Sequence, residues 1–274
     1  MKGVASMKPL FLQILIMLSS IFLYCTFDEN TKISQESNLL GDRSQISLSC
    51  IDIKKSLEFY KKLNFSLLEV QLNTDIPWAL LSDGSQLFML SQNEFPSPTL
   101  TFYGKSLSER IKKLELLGLD LEIIPDQQGQ IKSAILKTPG KIGVSLINFN
   151  TSILPKPKGH PEFPLGKFTG FYIPVSNLNK ELIFWENAGF KTMAKWVAPT
   201  LKVSLEQANL RVLLLQDRTF AEPAICYTHQ DEKSILNSLK DAKIAFEVRQ
   251  SDAKSWVFFE SPDTQLFLIE VPIQ

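Results

Sequence analysis

Cysteine and histidine are both scarce in this chain, at three and two residues out of 274. An odd, small number of cysteines cannot build a disulfide framework, and their spacing matches no zinc motif. Two histidines, His160 and His229, leave little material for a histidine-rich metal site. The chain also lacks a charge excess, with 29 basic residues against 29 acidic ones. That argues against nucleic acid as a partner, because phosphate binding leaves a basic surplus. No Gly-rich phosphate loop, nucleophile elbow or Ser–His–Asp order is present, so no catalytic residue is assigned from a motif. What remains is ordinary for a folded protein: 44% hydrophobic and 21% charged residues, in a chain long enough for one large domain or two small ones with real cores.

Lys2 and Lys8 precede an apolar run from Pro9 to Tyr24, broken by Gln13, Ser19 and Ser20. The run falls short of the roughly 20 residues that span a bilayer core. A basic start before a short apolar segment reads as an export signal, and Met7-Lys8 would serve as its beginning equally well. The run ends at Cys25 and gives way to a polar stretch, Thr26–Asn38. This resembles a bacterial lipoprotein signal, whose cysteine is lipidated and becomes the mature N-terminus. Tyr24 stands where that signal carries a small residue. An uncleaved anchor and a conventional signal peptide are the other readings. Each puts the folded part outside the cytoplasm, and the lipoprotein and anchor readings tie it to a membrane of the cell envelope.

An internal repeat organises the rest. Residues 45–60, QISLSCIDIKKSLEFY, match residues 170–185, GFYIPVSNLNKELIFW. Each is a short alternating strand, a polar turn with an N-cap candidate (Asp52, Asn177), and a helix with an apolar stripe. Tyr60 falls on Trp185, an offset of 125. The same offset sets Leu87–Leu90 on Val212–Leu215, Pro98 on Pro223, Tyr103 on Thr228 and Leu119–Ile123 on Ile244–Val248. Near the end it slips to 122, bringing Ser145–Asn148 onto Phe267–Glu270.

Each copy reads as strand, helix, strand, strand hairpin, strand, helix, strand, strand. Asp83-Gly84 marks the hairpin of the first copy and Gln207-Ala208-Asn209 that of the second. The organisation is a signal or anchor at 1–25, a polar linker at 26–43, a first module at 44–150, a proline-rich linker at 151–165 and a second module at 166–274. His160 sits in that linker, and His229 precedes a helix as a loop or capping residue.

The stretch Ile46–Tyr60 and the module end Glu260–Glu270, ESPDTQLFLIE, resemble the opening and the final turn and strand of vicinal-oxygen-chelate modules. This is the superfamily of glyoxalases, bleomycin-resistance proteins and extradiol dioxygenases, and the resemblance runs from about residue 44 to 272. It implies an α+β fold of two tandem βαβββ-type modules whose curved mixed sheets close around a cup. It also implies, for the superfamily's enzymes, a divalent metal held by up to four side chains. In the glyoxalase branch these come from the first and last strands of each module. Those positions read Gln45, Leu146, Gly170 and Leu268, of which only Gln45 could coordinate. Glu270, two residues beyond Leu268, shares its face.

Strand alternation sends Ile46, Leu48 and Cys50 to the helices, and Gln45, Ser47 and Ser49 into the cup. In the second copy Gly170, Tyr172 and Pro174 face the cup. Trp78 and Trp196 are expected on its walls, with Leu146 and Leu268 on an apolar side. Cys50 and Cys226 read as buried thiols without chemistry. The candidate ligand-binding set is therefore Gln45, Ser47, Ser49, Trp78, Tyr172, Trp196 and Glu270; Gln45 and Glu270 are the weak metal candidates, and no cofactor is expected. These features imply a metal-free, envelope-anchored protein that binds a small apolar or aromatic molecule, as a monomeric pseudo-dimer or a homodimer. The alternatives are a metal-dependent lyase, isomerase or dioxygenase with a rearranged site, and a non-catalytic protein-interaction module.

Overall fold

The computed structural model describes residues 38–140, 142–160, 163–197, 201–216, 221–250 and 254–272. The signal segment and Cys25 lie outside the described residues. Among the described residues no helix is long and apolar enough to cross a membrane.

The first module runs β1 (Arg43–Ser49), α1 (Ile53–Lys62), β2 (Ser66–Gln71), β3 (Trp78–Ser82), β4 (Leu87–Ser91), β5 (Thr99–Gly104), α2 (Leu107–Leu116), β6 (Leu121–Pro125), β7 (Ile131–Leu136) and β8 (Gly143–Asn148). The second repeats this order: β9 (Lys167–Pro174), α3 (Leu178–Asn187), β10 (Lys191–Trp196), β11 (Leu201–Gln207), β12 (Leu210–Gln216), β13 (Ala224–Thr228), α4 (Glu232–Asp241), β14 (Glu247–Gln250), β15 (Lys254–Glu260) and β16 (Leu266–Pro272). Three strands follow the second helix of each module where the sequence pattern shows two. The extra ones are β7 and β15.

The repeated elements form for local reasons. Asp52 caps α1 by accepting from the backbone N–H groups of Lys54 and Lys55, and Asn177 caps α3 by accepting from Lys180. Both helices end on a residue in the left-handed region, Asn64 at φ 56° and Gly189 at φ 94°. The β11–β12 hairpin turns on Ala208 and Asn209, both at positive φ, as a two-residue turn between right-twisted strands requires.

Each module is one eight-stranded mixed sheet, in the order β2-β3-β4-β1-β5-β8-β7-β6 and, in the second, β10-β11-β12-β9-β13-β16-β15-β14. A module is thus two βαβββ units joined at an antiparallel seam, β1 on β5 and β9 on β13. The helix-side faces of both sheets share one continuous core. Phe59 and Tyr60 of α1 reach across to Phe267 of β16, with ring centroids 6.1 Å apart in both pairs, and Phe267 stacks on Phe259 at 4.9 Å. Such pairs add about 0.5–1.5 kcal/mol each beyond the area they bury.

Polar contacts between the modules are reciprocal. Asp263, in the β15–β16 turn, accepts from the backbone N–H of Ile51 at 2.9 Å and from Ser56 Oγ at 2.5 Å. Asp83, in the β3–β4 turn, accepts from Tyr227 Oη at 2.8 Å. The two hairpins also meet, through Gln86 Nε2 donating to the Asn209 carbonyl at 2.6 Å, and Ser44 Oγ of β1 donates to that of Ala208 at 2.9 Å.

The pairing corrects the equivalence of the last strands. Thr101 lies beside Ser145 in the first module and Cys226 beside Leu268 in the second. Ser145, not Leu146, is therefore the counterpart of Leu268. Leu146 is fully buried in the helix-side core and does not line a cup. A slip of one residue exchanges the two faces of a strand, and the sequence pattern alone placed Leu146 on the wrong one.

Candidate functional site

With the helix-side faces packed together, each sheet keeps its own concave face. The paired modules do not enclose a single cup, so the seven candidate residues divide between two.

The first cup holds Gln45, Ser47, Ser49 and Trp78. Its apolar part is a small cluster of Trp78, Leu80, Leu87 and Met89. Its polar part lies on β1, β5, β8 and β7. Gln45 Nε2 donates to Ser47 Oγ at 3.2 Å, and Ser47 Oγ shares a hydrogen bond with Thr101 Oγ1 at 2.9 Å. Ser49, at the strand end, donates to the Asn93 carbonyl at 2.5 Å instead of facing a ligand space. Ser133 and Tyr103 flank Ile147 across neighbouring strands. The Ser133 hydroxyl is buried without a hydrogen-bond partner. Gln45 is 1% exposed and brings an amide to a site of hydroxyls.

The second cup brings Tyr172 and Glu270 together, with Trp196 at the rim. Tyr172, Leu213, Leu215, Ala224, Cys226, Phe258 and Leu268 form its floor, and Trp256 packs against them. Above the floor, three donors converge on Glu270 Oε1: Lys254 Nζ at 2.9 Å, Tyr172 Oη at 3.0 Å and Trp256 Nε1 at 3.5 Å. Lys202 Nζ donates to Tyr172 Oη at 3.3 Å and lies over the Trp196 ring, 4.7 Å from its centroid. Lys254 lies over Trp256 at 4.9 Å. Cations on aromatic faces in a half-dry setting are mutually stabilising.

The electrostatics follow from this packing. Burial raises the Glu270 carboxyl, but Lys254, Lys202 and the Tyr172 hydroxyl outweigh it and hold the group below the usual carboxylate range. Burial, with Cys226 and Glu270 beside it, pushes the Tyr172 phenol up, so it stays protonated and donates. Burial pulls Lys202 below the usual lysine range; Glu270 counters this and Lys254 adds to it. An ionised carboxylate held below its usual range by neighbouring cations is a poor general base. It serves better as the anchor that fixes Lys254, Tyr172 and Trp256 around one opening.

Lys202, Lys254, Trp256 and Phe258 are absent from the sequence-derived set. Lys254, Trp256 and Phe258 alternate along β15, a strand the repeat did not reveal. Lys202 lies on β11 opposite Trp196 of β10, and that pairing is tertiary information.

The residues of the second cup do not fit a chelated divalent cation. Gly170, Cys226 and Leu268 lie in one row across the central strands. Gly170 has φ 149°, and a Cβ there would come within 3.0 Å of the Arg211 carbonyl oxygen. The position has no room for a ligand side chain. Leu268 offers no lone pair, and burial raises Cys226 well above the usual thiol range. Glu270 is enclosed by ammonium groups that repel a dication. Among the described residues no group of three or more His, Cys, Asp or Glu side chains converges.

Two tandem modules, each an eight-stranded sheet of paired βαβββ units with a concave face, define the vicinal-oxygen-chelate fold, and this chain has it. Solved structures with this architecture include catechol 2,3-dioxygenase, with a TM-score of 0.57 and 13% identity over 85% of this chain and 87% of that one. A mutant of 4-hydroxymandelate synthase from Streptomyces coelicolor gives 0.54 and 14%, over 85% and 92% of the two chains. Homoprotocatechuate 2,3-dioxygenase from Arthrobacter globiformis gives 0.54 and 12%, over 86% and 80%. Identities this low establish the fold alone. No protein-family model matches the sequence, and no curated protein matches it either.

Proposed function

We propose that this is a binding protein whose second cup takes up a small apolar or aromatic molecule without a metal, held at the cell envelope by its N-terminal segment. The observation that supports this most is a carboxylate locked by Lys254 at 2.9 Å and bonded by Tyr172 and Trp256, above an apolar floor that includes Phe258. Aromatic walls over an apolar floor, with a few fixed polar groups, are the usual make-up of a small-molecule site. The anchoring rests on the basic start, the short apolar run and Cys25, and it is tested by metabolic lipid labelling of the chain and of Cys25→Ser.

Binding is tested by calorimetric titration of the whole chain in EDTA with two probes, 3-phenylpropanol and 3-phenylpropionate. At least one binds, and Trp256→Ala weakens it. If neither binds, or binding needs an added divalent metal, the reading is lost. The dioxygenase names of the structural neighbours favour a second reading, a metal-dependent enzyme with a rearranged site. Metal content after incubation with Ni, Zn, Mn and Fe(II) decides between them. The binding reading expects no stoichiometric metal; one ion per chain that disappears in Glu270→Ala turns the assignment to an enzyme.

A further inference from the structure

Among the described residues of the second cup, the cations differ in how closely a carboxylate partners them. Along the strands that line it, Arg211 is paired with Glu206 at 3.0 Å and Arg249 with Glu247 at 2.8 Å. Lys254 is paired with Glu270. Glu260, at the far end of β15 from Lys254, is about 20 Å away along the strand at the usual rise per residue. Lys202 is left, among the described residues, with no carboxylate within salt-bridge distance, and its hydrogen bond goes to the neutral Tyr172 hydroxyl. Its Nζ lies 4.7 Å from the Trp196 ring centroid and 5.6 Å from that of Tyr172, so its head points over the aromatic wall that a planar ligand would use.

Deepening the reading of this cup as a ligand site, and resting on it, we infer that Lys202 selects the ligand: the cup takes an aromatic or apolar acid whose anionic group meets Lys202 Nζ. An ammonium that keeps two further donors beside its Tyr172 contact accepts a carboxylate without rearrangement. Lys254 does not compete for the anion, because Glu270 Oε1 already holds it. The apolar body then covers Trp256, Phe258 and Leu268. Polar groups placed at one end of an apolar site fix orientation and discriminate between ligands of equal size.

The test compares 3-phenylpropionate with 3-phenylpropanol, a matched acid and alcohol, on the whole chain. A charge-assisted hydrogen bond in a half-buried site predicts roughly tenfold tighter binding of the acid. The preference falls to near unity in Lys202→Met, persists in Lys202→Arg and shrinks in 1 M salt, where screening reaches roughly 3 Å. Glu270→Gln, which removes the negative charge that repels an anionic ligand, increases the preference. Equal binding of the two probes, or an acid preference that survives Lys202→Met, overturns the assignment to Lys202 while leaving the cup a binding site. If neither probe binds, the binding reading itself fails and this inference falls with it.

Discussion

Replacing Tyr227 by phenylalanine removes the donor that the second module supplies to Asp83 of the first. Asp83 Oδ2 accepts from Tyr227 Oη at 2.8 Å, while Oδ1 keeps the Ser85 and Gln86 backbone N–H groups, both at 2.7 Å, and Ser85 Oγ at 2.9 Å. Asp83 is only 8% exposed and Tyr227 not at all, so water cannot take over without opening the interface. A hydrogen bond to a charged group is worth about 1.5–3 kcal/mol, and about 2 kcal/mol is expected here at pH 8. For a chain of this size that corresponds to roughly 4–8 °C in Tm. Burial raises the Asp83 carboxyl above its ordinary value of 3.8, against the pull of its hydrogen bonds. The native state therefore binds its proton more tightly than the unfolded chain, and this group's contribution to stability falls as pH rises through the raised value. Tyr227→Phe raises that value further, so its penalty is larger at pH 8 than in acid, where the carboxyl is neutral and the lost bond is worth about 0.5–1.5 kcal/mol. Asp83→Asn removes the titration altogether. Thermal and urea unfolding of the three proteins between pH 4 and 8 supplies the comparison. A Tyr227→Phe effect within about 0.5 kcal/mol of zero at pH 8, the range of an indifferent surface change, or one that is independent of pH, refutes the reasoning.

Other residues give sharper local expectations. Arg110 is buried and forms no salt bridge among the described residues; its guanidinium donates to the carbonyls of Lys105, Leu40, Gly104 and Ile147. Arg110→Met strips a donor from several carbonyls, of which that of Gly104 keeps the Phe149 backbone N–H. A buried carbonyl left unpaired costs about 1–3 kcal/mol, so a loss of several degrees in Tm is expected, and Arg110→Lys recovers little of it, since one ammonium cannot span the fork. Ser133→Ala removes a buried hydroxyl without a partner and is expected to be neutral or stabilising by up to about 1 kcal/mol. A clear loss of stability would show that the hydroxyl is satisfied in solution, against this reading. Burial raises Cys50 to about 12 and Cys226 well above the ordinary thiol value, so neither reacts with Ellman's reagent at pH 8 until the chain unfolds. Rapid labelling of the native protein at either position would contradict the burial.

The sequence determined a good deal by itself. A phase of 125 residues kept over most of the chain makes two copies of one module, and alternation plus N-caps at Asp52 and Asn177 place the first strand and helix of each. These are local signals, and neighbours along the chain suffice to set them. The glycine at 170 and the leucine at 268 already spoke against the superfamily's chelate. What the sequence left open was which residues share a face across strands far apart in the chain. The one-residue error at Leu146 arose because Val144–Asn148 is apolar on both sides, and only pairing with Thr99–Gly104 fixes its phase. β15 escaped notice for a related reason: Lys254, Trp256 and Phe258 alternate with Ser255, Val257 and Phe259, so neither face of that strand reads as polar. Tertiary structure alone decided that each sheet keeps its own cup, because the antiparallel seams β1–β5 and β9–β13 lie within each module while aromatic residues of α1 and α3 bury themselves between the two sheets. That packing separates Gln45, Ser47 and Trp78 from Tyr172, Trp196 and Glu270. Pairing within the second sheet also sets Lys202 on Tyr172 and Lys254 on Glu270, side chains from distant strands joined through the Tyr172–Glu270 hydrogen bond, a juxtaposition that no local pattern encodes.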